Sequence, residues 1–340
     1  MILLTGAFGY LGSGIARELI SRQAPFRILV RDPARLSFDA AACNCDIVRG
    51  DLLDAASRRA AVRGVEGVIH TAALVKMWVR DRRDFWRVNV EGFQGLLAAA
   101  EEAGVRRIVY TSSFLALGPS ADSSADERLR HPGPIANEYE QSKTQALDWL
   151  RREGLTRYPV LVLVPGVIYG PGPQTQGNLV GGMIDQYLAG KFPGLLGSGR
   201  QRWSFAFKDD VVKAHLAALE KGKPGEVYLL GGDNRSLNDL FCLLAEYTRV
   251  GRAVRHLPFT FGKLVAAVEV IRARCFGHSP QLTPAVVEIF KHDWVYSSAK
   301  AIRELGYKVT PLEEGLQKTL KDRDGGQGPR DLRAPWAISS

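Results

Sequence analysis

Cysteine is scarce. Four residues in 340 (Cys43, Cys45, Cys242 and Cys275) are too few and too scattered to staple a small secreted fold or to form a zinc module. Cys43-Asn44-Cys45 has no second cysteine or histidine pair at ligand spacing, so no metal is expected. Also missing is any run of about 18 apolar residues, and nothing reads as a membrane-spanning helix. The chain lacks the charged start and the apolar stretch of about 7–15 residues that mark a secretory leader. It opens Met-Ile-Leu-Leu-Thr-Gly, a few apolar residues and then a glycine turn. These absences make a cytoplasmic protein the expectation.

Acid is in deficit, 36 Asp and Glu against 45 Lys and Arg, giving a formal charge of +9. The arginines come as dispersed pairs (Arg58-Arg59, Arg82-Arg83, Arg106-Arg107, Arg151-Arg152), without a basic run interleaved with aromatics. That pattern is one of solvated helix ends and loops, and no nucleic-acid partner is expected. With 46% hydrophobic and 24% charged residues, disordered and fibrous classes are excluded as well.

Two local patterns carry chemistry. Ile2–Thr5 is a short apolar run, followed by Gly6-Ala7-Phe8-Gly9-Tyr10-Leu11-Gly12, then by helical periodicity from Ile15 and a second strand at Phe26–Val30. Strand, glycine turn, helix and strand within about thirty residues form a dinucleotide cradle: the glycines permit a tight turn, close backbone approach to a pyrophosphate, and close helix–strand packing. After the second strand stand Arg31 and Asp32. An arginine there accommodates a ribose 2′-phosphate and an acid binds the free 2′-hydroxyl, so NADP(H) is favoured, with NAD(H) left open by Asp32. Further strands are expected at 47–52, 67–73 and 107–113, with a long amphipathic helix over 84–103. This alternation specifies an α/β Rossmann-type, doubly wound parallel sheet whose ligands bind at the strands' carboxyl ends, where Asp51, Leu52, Ala72, Ala73 and Ser113 fall.

The second pattern is Tyr139-Glu140-Gln141-Ser142-Lys143. Tyrosine and lysine four apart share one helix face, and an adjacent ammonium favours the phenolate of a group that otherwise titrates near pH 10.

Taken together, Thr5-Gly6-x-x-Gly9-x-x-Gly12, Asp51-Leu52, His70-Thr71-Ala72-Ala73, Asn89, Thr111-Ser112-Ser113, Tyr139-x-x-x-Lys143 and Pro165–Gly172 resemble the extended short-chain dehydrogenase/reductase family over residues 1–320. The likeness is nearest the branch of dihydroflavonol reductases, 3β-hydroxysteroid dehydrogenases and plant farnesol dehydrogenases. It implies Ser113 (Ser112 the alternative) on the substrate oxygen, Tyr139 passing the proton, and Lys143 on the nicotinamide ribose while lowering the Tyr139 pKa. It further implies Pro165 and Val167 against the nicotinamide. Cofactor contacts are therefore expected from Gly6, Phe8, Gly9, Tyr10, Leu11, Gly12, Arg31, Asp51, Leu52, Ala72, Ala73, Lys143, Pro165 and Val167.

Residues 1–165 are expected to form the dinucleotide-binding domain, with later segments free to return to it. Residues 166–320 would form mainly a smaller substrate lobe, and 321–340 a disordered tail. Family members acting on sugar nucleotides keep an arginine where this chain has Trp203. With Phe205 and Phe207, Trp203 suggests an apolar wall, and Trp203 and Phe205 are the candidate substrate contacts. The leading reading is an NAD(P)-dependent oxidoreductase interconverting an alcohol and a carbonyl on a lipophilic small molecule. The alternatives are an NAD-dependent sugar-nucleotide epimerase or dehydratase and a non-catalytic nucleotide sensor. The apolar segment 257–276, carrying Lys263, Arg272 and Arg274, either packs on the substrate lobe or makes a peripheral membrane contact. Homodimerisation through helices near 84–103 and 137–152 is a family expectation.

Overall fold

The computed structural model describes residues 1–325 apart from 37, 39, 77, 78, 80, 123, 124, 176, 249, 251, 252, 277–279 and 281. In chain order the strands are β1 (Ile2–Thr5), β2 (Phe26–Val30), β3 (Cys45–Arg49), β4 (Gly67–His70), β5 (Arg107–Thr111), β6 (Val160–Pro165), β7 (Val167–Tyr169), β8 (Leu195–Leu196), β9 (Arg202–Phe207), β10 (Val227–Leu230), β11 (Asp233–Ser236) and β12 (His256–Leu257). Seven of them form one sheet in the order β10-β6-β5-β4-β1-β2-β3, every neighbour parallel. The order reverses between β1 and β4, which places a ligand crevice beside β1.

Continuous apolar strands are what such a sheet requires, because helices cover both faces. Val160, Leu161, Val162 and Leu163 of β6 are fully buried, and successive side chains enter opposite layers. On one side Val160 and Val162 pack with Leu96, Leu97 and Leu147; on the other, Leu161 and Leu163 join Ile15, Leu19 and Leu216.

The third strand lies at Cys45–Arg49, slightly earlier than expected, because the β2 register pairs Phe26 with Cys45 and Val30 with Arg49. Gly50 and Asp51 therefore lie beyond the strand, at the crevice. Similarly β5 ends at Thr111, leaving Ser112 and Ser113 outside it. The helix expected over 84–103 is present but not uniform: Arg83–Trp86 and Phe93–Glu102 are α-helical, and Arg87–Gly92 between them has the wider π spacing.

After Pro165 the chain does return to the main sheet. Helix Lys208–Lys221 packs on helix Tyr10–Ser21, and β10 adds beside β6. Helix Ala299–Leu305 returns as well, packing on β10 and on helix Lys208–Lys221, and the remaining segments make a small lobe on the sheet β11-β9-β7. The tail needs correction: helix Leu312–Gly325 continues past residue 321, anchored by Arg323, whose Nε lies 2.6 Å from Asp185 Oδ1. Residues 326–340 lie outside the described residues.

Gly232 marks how tightly the lobe is joined, since a Cβ there would collide with the Phe205 carbonyl oxygen in the antiparallel β9–β11 pairing. Gly232→Ala is expected to destabilise the fold by about 1–3 kcal/mol, the usual overpacking cost. Thermal unfolding checks this, and an unchanged midpoint contradicts it.

Candidate active site

A cleft of about 800 Å³ runs along the carboxyl ends of β1, β2, β4, β5 and β6. Its floor is the glycine turn. Gly6 has φ +78°, Gly9 N–H donates to Gly6 O at 2.9 Å, and the helix that starts at Tyr10 has no side-chain cap. Its first-turn amides are thus left to an anion. A Cβ on Gly12 would strike the Gly6 carbonyl oxygen, and one on Gly6 would lie 2.7 Å from Ala72 N, so both positions depend on glycine. This cradle fits a dinucleotide pyrophosphate.

Gly6, Phe8, Gly9, Tyr10, Leu11, Gly12, Arg31, Asp51, Leu52, Ala72, Ala73, Lys143, Pro165 and Val167 all line the cleft. Tyr10 offers backbone rather than hydroxyl, because its OH donates to Gly170 O at 2.7 Å and the Lys208 ammonium lies 4.9 Å from its ring centroid. At the β2 end Asp32 accepts Ala34 N–H at 3.1 Å, which turns its carboxylate to capping, while Arg31 is exposed at the rim. Arg35 lies over Phe8, 5.6 Å from the ring centroid.

Ser113, Tyr139 and Lys143 meet at the far end. Tyr139 sits on helix Glu138–Trp149, whose start is fixed three ways. Asn137 Oδ1 accepts Glu140 N–H at 2.8 Å; the Glu140 carboxylate accepts Ala136 N–H at 2.9 Å and pairs with His131 Nε2 at 2.7 Å. Burial pushes the Tyr139 pKa up to about 12, prevailing over the neighbouring Ser113 hydroxyl, which lowers it. Lys143 Nζ donates to Thr111 O at 3.0 Å and to Tyr110 OH at 3.3 Å. Burial lowers the Lys143 pKa to about 7. Lowering of the Tyr139 pKa by Lys143 is therefore not what the protein alone displays: the ammonium is directed at the β5 end, and desolvation dominates both groups.

Asn89, Ser142 and His70, given no role from sequence, complete this arrangement, and Ser112, the alternative to Ser113 there, lies beside them. Within the π-wound turn, Asn89 Oδ1 accepts Leu74 N–H at 2.7 Å and Asn89 Nδ2 donates to Ser142 Oγ at 2.9 Å; Ser142 Oγ donates to the Tyr139 carbonyl at 2.8 Å. The wider winding swings Asn89 between the cleft loop and the catalytic helix. His70, bonded to Thr5 Oγ1 at 2.8 Å and stacked on Phe93, is kept neutral, its pKa lowered by burial to about 3. Ser112 Oγ is buried at the cleft without a hydrogen-bond partner, a polar atom that fits the amide end of a nicotinamide.

The substrate wall is a correction. Trp203 and Phe205 are completely buried and absent from the cleft lining, because β9 is covered on both faces. Trp203 stands behind the wall, 5.0 Å from the Phe290 ring. The lining comes from Leu74, Val75, Val88, Phe114, Leu179 and Ile289. These residues have no motif to betray them.

The profile of the NAD dependent epimerase/dehydratase family matches residues 2–231. The chain belongs to this family, the extended short-chain dehydrogenases/reductases. It is 31% identical over 313 residues to sterol demethylase protein B of Methylococcus capsulatus, covering 91% of this chain and 93% of that protein. It is 29% identical to a putative dihydroflavonol 4-reductase of a Synechocystis strain, over 92% and 91% of the two chains. Among solved structures, DesIV from Streptomyces venezuelae, a dTDP-glucose 4,6-dehydratase variant with NAD and DAU bound, superposes with a TM-score of 0.75 at 25% identity, covering 96% and 98%. The protein is an oxidoreductase of an NAD-dependent family, and among the described residues no helix is long and apolar enough to cross a membrane.

The Lys143 shift has a measurable sign. The folded pKa (about 7) lies below the ordinary lysine value of 10.5, so between them the unfolded chain holds a proton that the folded chain has released. Stability of wild type relative to Lys143→Met should rise from pH 7 towards pH 10 and be level below pH 7. Urea unfolding across that range tests this, and a flat difference refutes it.

Proposed function

We propose that the protein reduces a carbonyl, or oxidises the corresponding alcohol, on a lipophilic small molecule, with NADP(H) preferred. The observation that carries this reading is the Ser113–Tyr139–Lys143 cluster at the end of a dinucleotide cleft whose remaining wall is mostly aliphatic and aromatic, with Lys76 and Thr175 as its polar members. The cofactor supplies or accepts hydride at the nicotinamide ring. The chain does the rest. Gly6–Gly12 would hold the pyrophosphate, and Asp51 and Leu52 the adenine side. Ala72, Ala73, Pro165 and Val167 would border the nicotinamide, and Ser112 Oγ would meet its amide. Ser113 would hold the substrate oxygen. Tyr139 Oη, protonated because burial keeps its pKa high, gives its proton to that oxygen during reduction and takes it back in oxidation. Lys143 Nζ, fixed on the Thr111 carbonyl, is placed to bind the ribose hydroxyls beside Tyr139.

A lipophilic substrate is supported by the lining, since apolar burial contributes about 25 cal/mol per Å². The competing sugar-nucleotide reading needs a cation over the substrate diphosphate. Arg202, the arginine nearest in sequence to the family position, instead donates from Nη2 to Ala121 O at 2.7 Å and is not part of the cleft, whose lining carries Lys76 but no arginine outside the β2 end. NADP(H) is favoured by the exposed Arg31 beside an Asp32 already occupied by Ala34.

Tyr139→Phe should keep cofactor affinity while lowering turnover by about 100-fold or more, measured as NADPH oxidation over a panel of lipophilic ketones. Near-normal turnover removes the acid–base role. Arg31→Asp should move the kcat/KM preference from NADPH to NADH by about tenfold or more, the order of a lost charged hydrogen bond; an unchanged ratio removes the phosphate contact. An enzyme that purifies with tightly bound nicotinamide and needs none added would favour the epimerase reading.

A further inference from the structure

Helix Phe259–Phe276 is built the wrong way round for a helix that merely packs on its lobe. Its fully buried positions are small: Ala266 and Ala273 are enclosed, and a Cβ on Gly262 would lie 2.7 Å from Leu196 Cδ2, while Phe259, Val265 and Val270 are half-buried. Other large apolar residues face out. Phe261, Leu264, Val268 and Ile271 are 51%, 64%, 46% and 60% exposed, and their spacing of three, four and three aligns them in one stripe. The inward face packs on helix Pro284–Ile289, whose last residue, Ile289, lines the cleft.

The surrounding charge indicates what covers the stripe. Between residues 252 and 291 there are six Arg and Lys and two Glu. Glu269 pairs with Arg272, and Glu288 serves both Lys263 and Lys291, so the sequence of this helix and its flanks carries more cations than these two acids offset. A second copy of this chain would bring that positive field against itself. Four side chains also offer on the order of 400 Å², well below the ~800 Å² per partner of a standard dimer. A negatively charged lipid surface suits both features, since an apolar stripe flanked by cations is the pattern of a helix lying in a bilayer interface.

We propose that helix Phe259–Phe276 docks the protein on anionic lipid surfaces, with Phe261, Leu264, Val268 and Ile271 entering the interface. This deepens the lipophilic-substrate reading by naming the surface beside which the cleft would work. Co-sedimentation with vesicles of phosphatidylcholine and phosphatidylglycerol (3:1), against phosphatidylcholine alone, tests it. Wild type should pellet at least tenfold more strongly with the anionic vesicles, and less so at high salt. Leu264→Ser and Ile271→Ser, singly and together, alter only exposed positions; the double change should lower the partition coefficient at least tenfold with an unchanged circular dichroism spectrum. Three results overturn the proposal: no pelleting of wild type, pelleting undiminished in the double variant, or a dimer in lipid-free gel filtration that the double variant converts to monomer. Pelleting is independent of turnover, so its failure leaves the reductase reading intact, and an inactive enzyme that still pellets leaves the docking surface intact.

Discussion

The site rests on one buried ammonium. Lys143 is almost fully enclosed, and the hydrogen bonds that hold it come from neutral oxygens, the last carbonyl of β5 and the Tyr110 hydroxyl. A charge in that setting is expensive unless a ligand satisfies it, which is why burial lowers its pKa so far. The same contact pins helix Glu138–Trp149 to the end of β5, and so determines where Tyr139 stands relative to Ser113. A stabilising carboxylate beside Lys143 would quench this tension and also neutralise the charge that the proposed function assigns to the ribose. The protein instead keeps an amine poised to lose its proton, beside a phenol poised to keep one.

Much of this was legible in the sequence because it is local. The glycine turn must follow a strand and open a helix, and Tyr139 and Lys143 must share a helix face; both constraints act over a few residues. The parallel, doubly wound class of the sheet follows from the alternation, and every expected cofactor residue reaches the cleft. Misplaced boundaries were those set by pairing partners. The end of β3 depends on its register with Phe26–Val30, which no local propensity encodes.

The substrate wall was not legible for a different reason. Trp203, Phe205 and Phe207 alternate with Ser204 and Ala206, the pattern of a half-buried strand, whereas β9 has Trp294 hydrogen-bonded alongside it and helices over its faces. Alternation cannot distinguish a strand open to a cavity from one sealed by a distant segment. The residues that do form the wall come from a loop after β4, the π-wound turn holding Val88, a 3₁₀ turn after Ser113, the helix starting at Leu179 and the short helix ending at Ile289. Only tertiary packing brings those five together. Asn89 is the intermediate case: its polar amide in an apolar helix is visible, but its reach to Leu74 and Ser142 requires the locally widened winding.

These observations also explain how one scaffold serves different chemistry. The cradle, the phenol and the amine depend on the main sheet, whose strands leave little freedom. The apolar wall depends on elements outside the sheet, among them the turn carrying Phe114 and the helix ending at Ile289. Phe114 stacks edge-on against Trp294, with ring centroids 5.1 Å apart, and Trp294 pairs with β9 through backbone bonds at 2.8 Å. The wall is thereby tied to a rigid strand without that strand contributing a side chain to it. Trp203 then has a structural meaning that a family arginine could not have: in the closed layer behind Phe290 a guanidinium would be a charge without a partner, while an indole fills the space. Trp203 thus seals the wall from behind, and the side chains in front of it, Phe114 and Ile289 among them, are hydrocarbon.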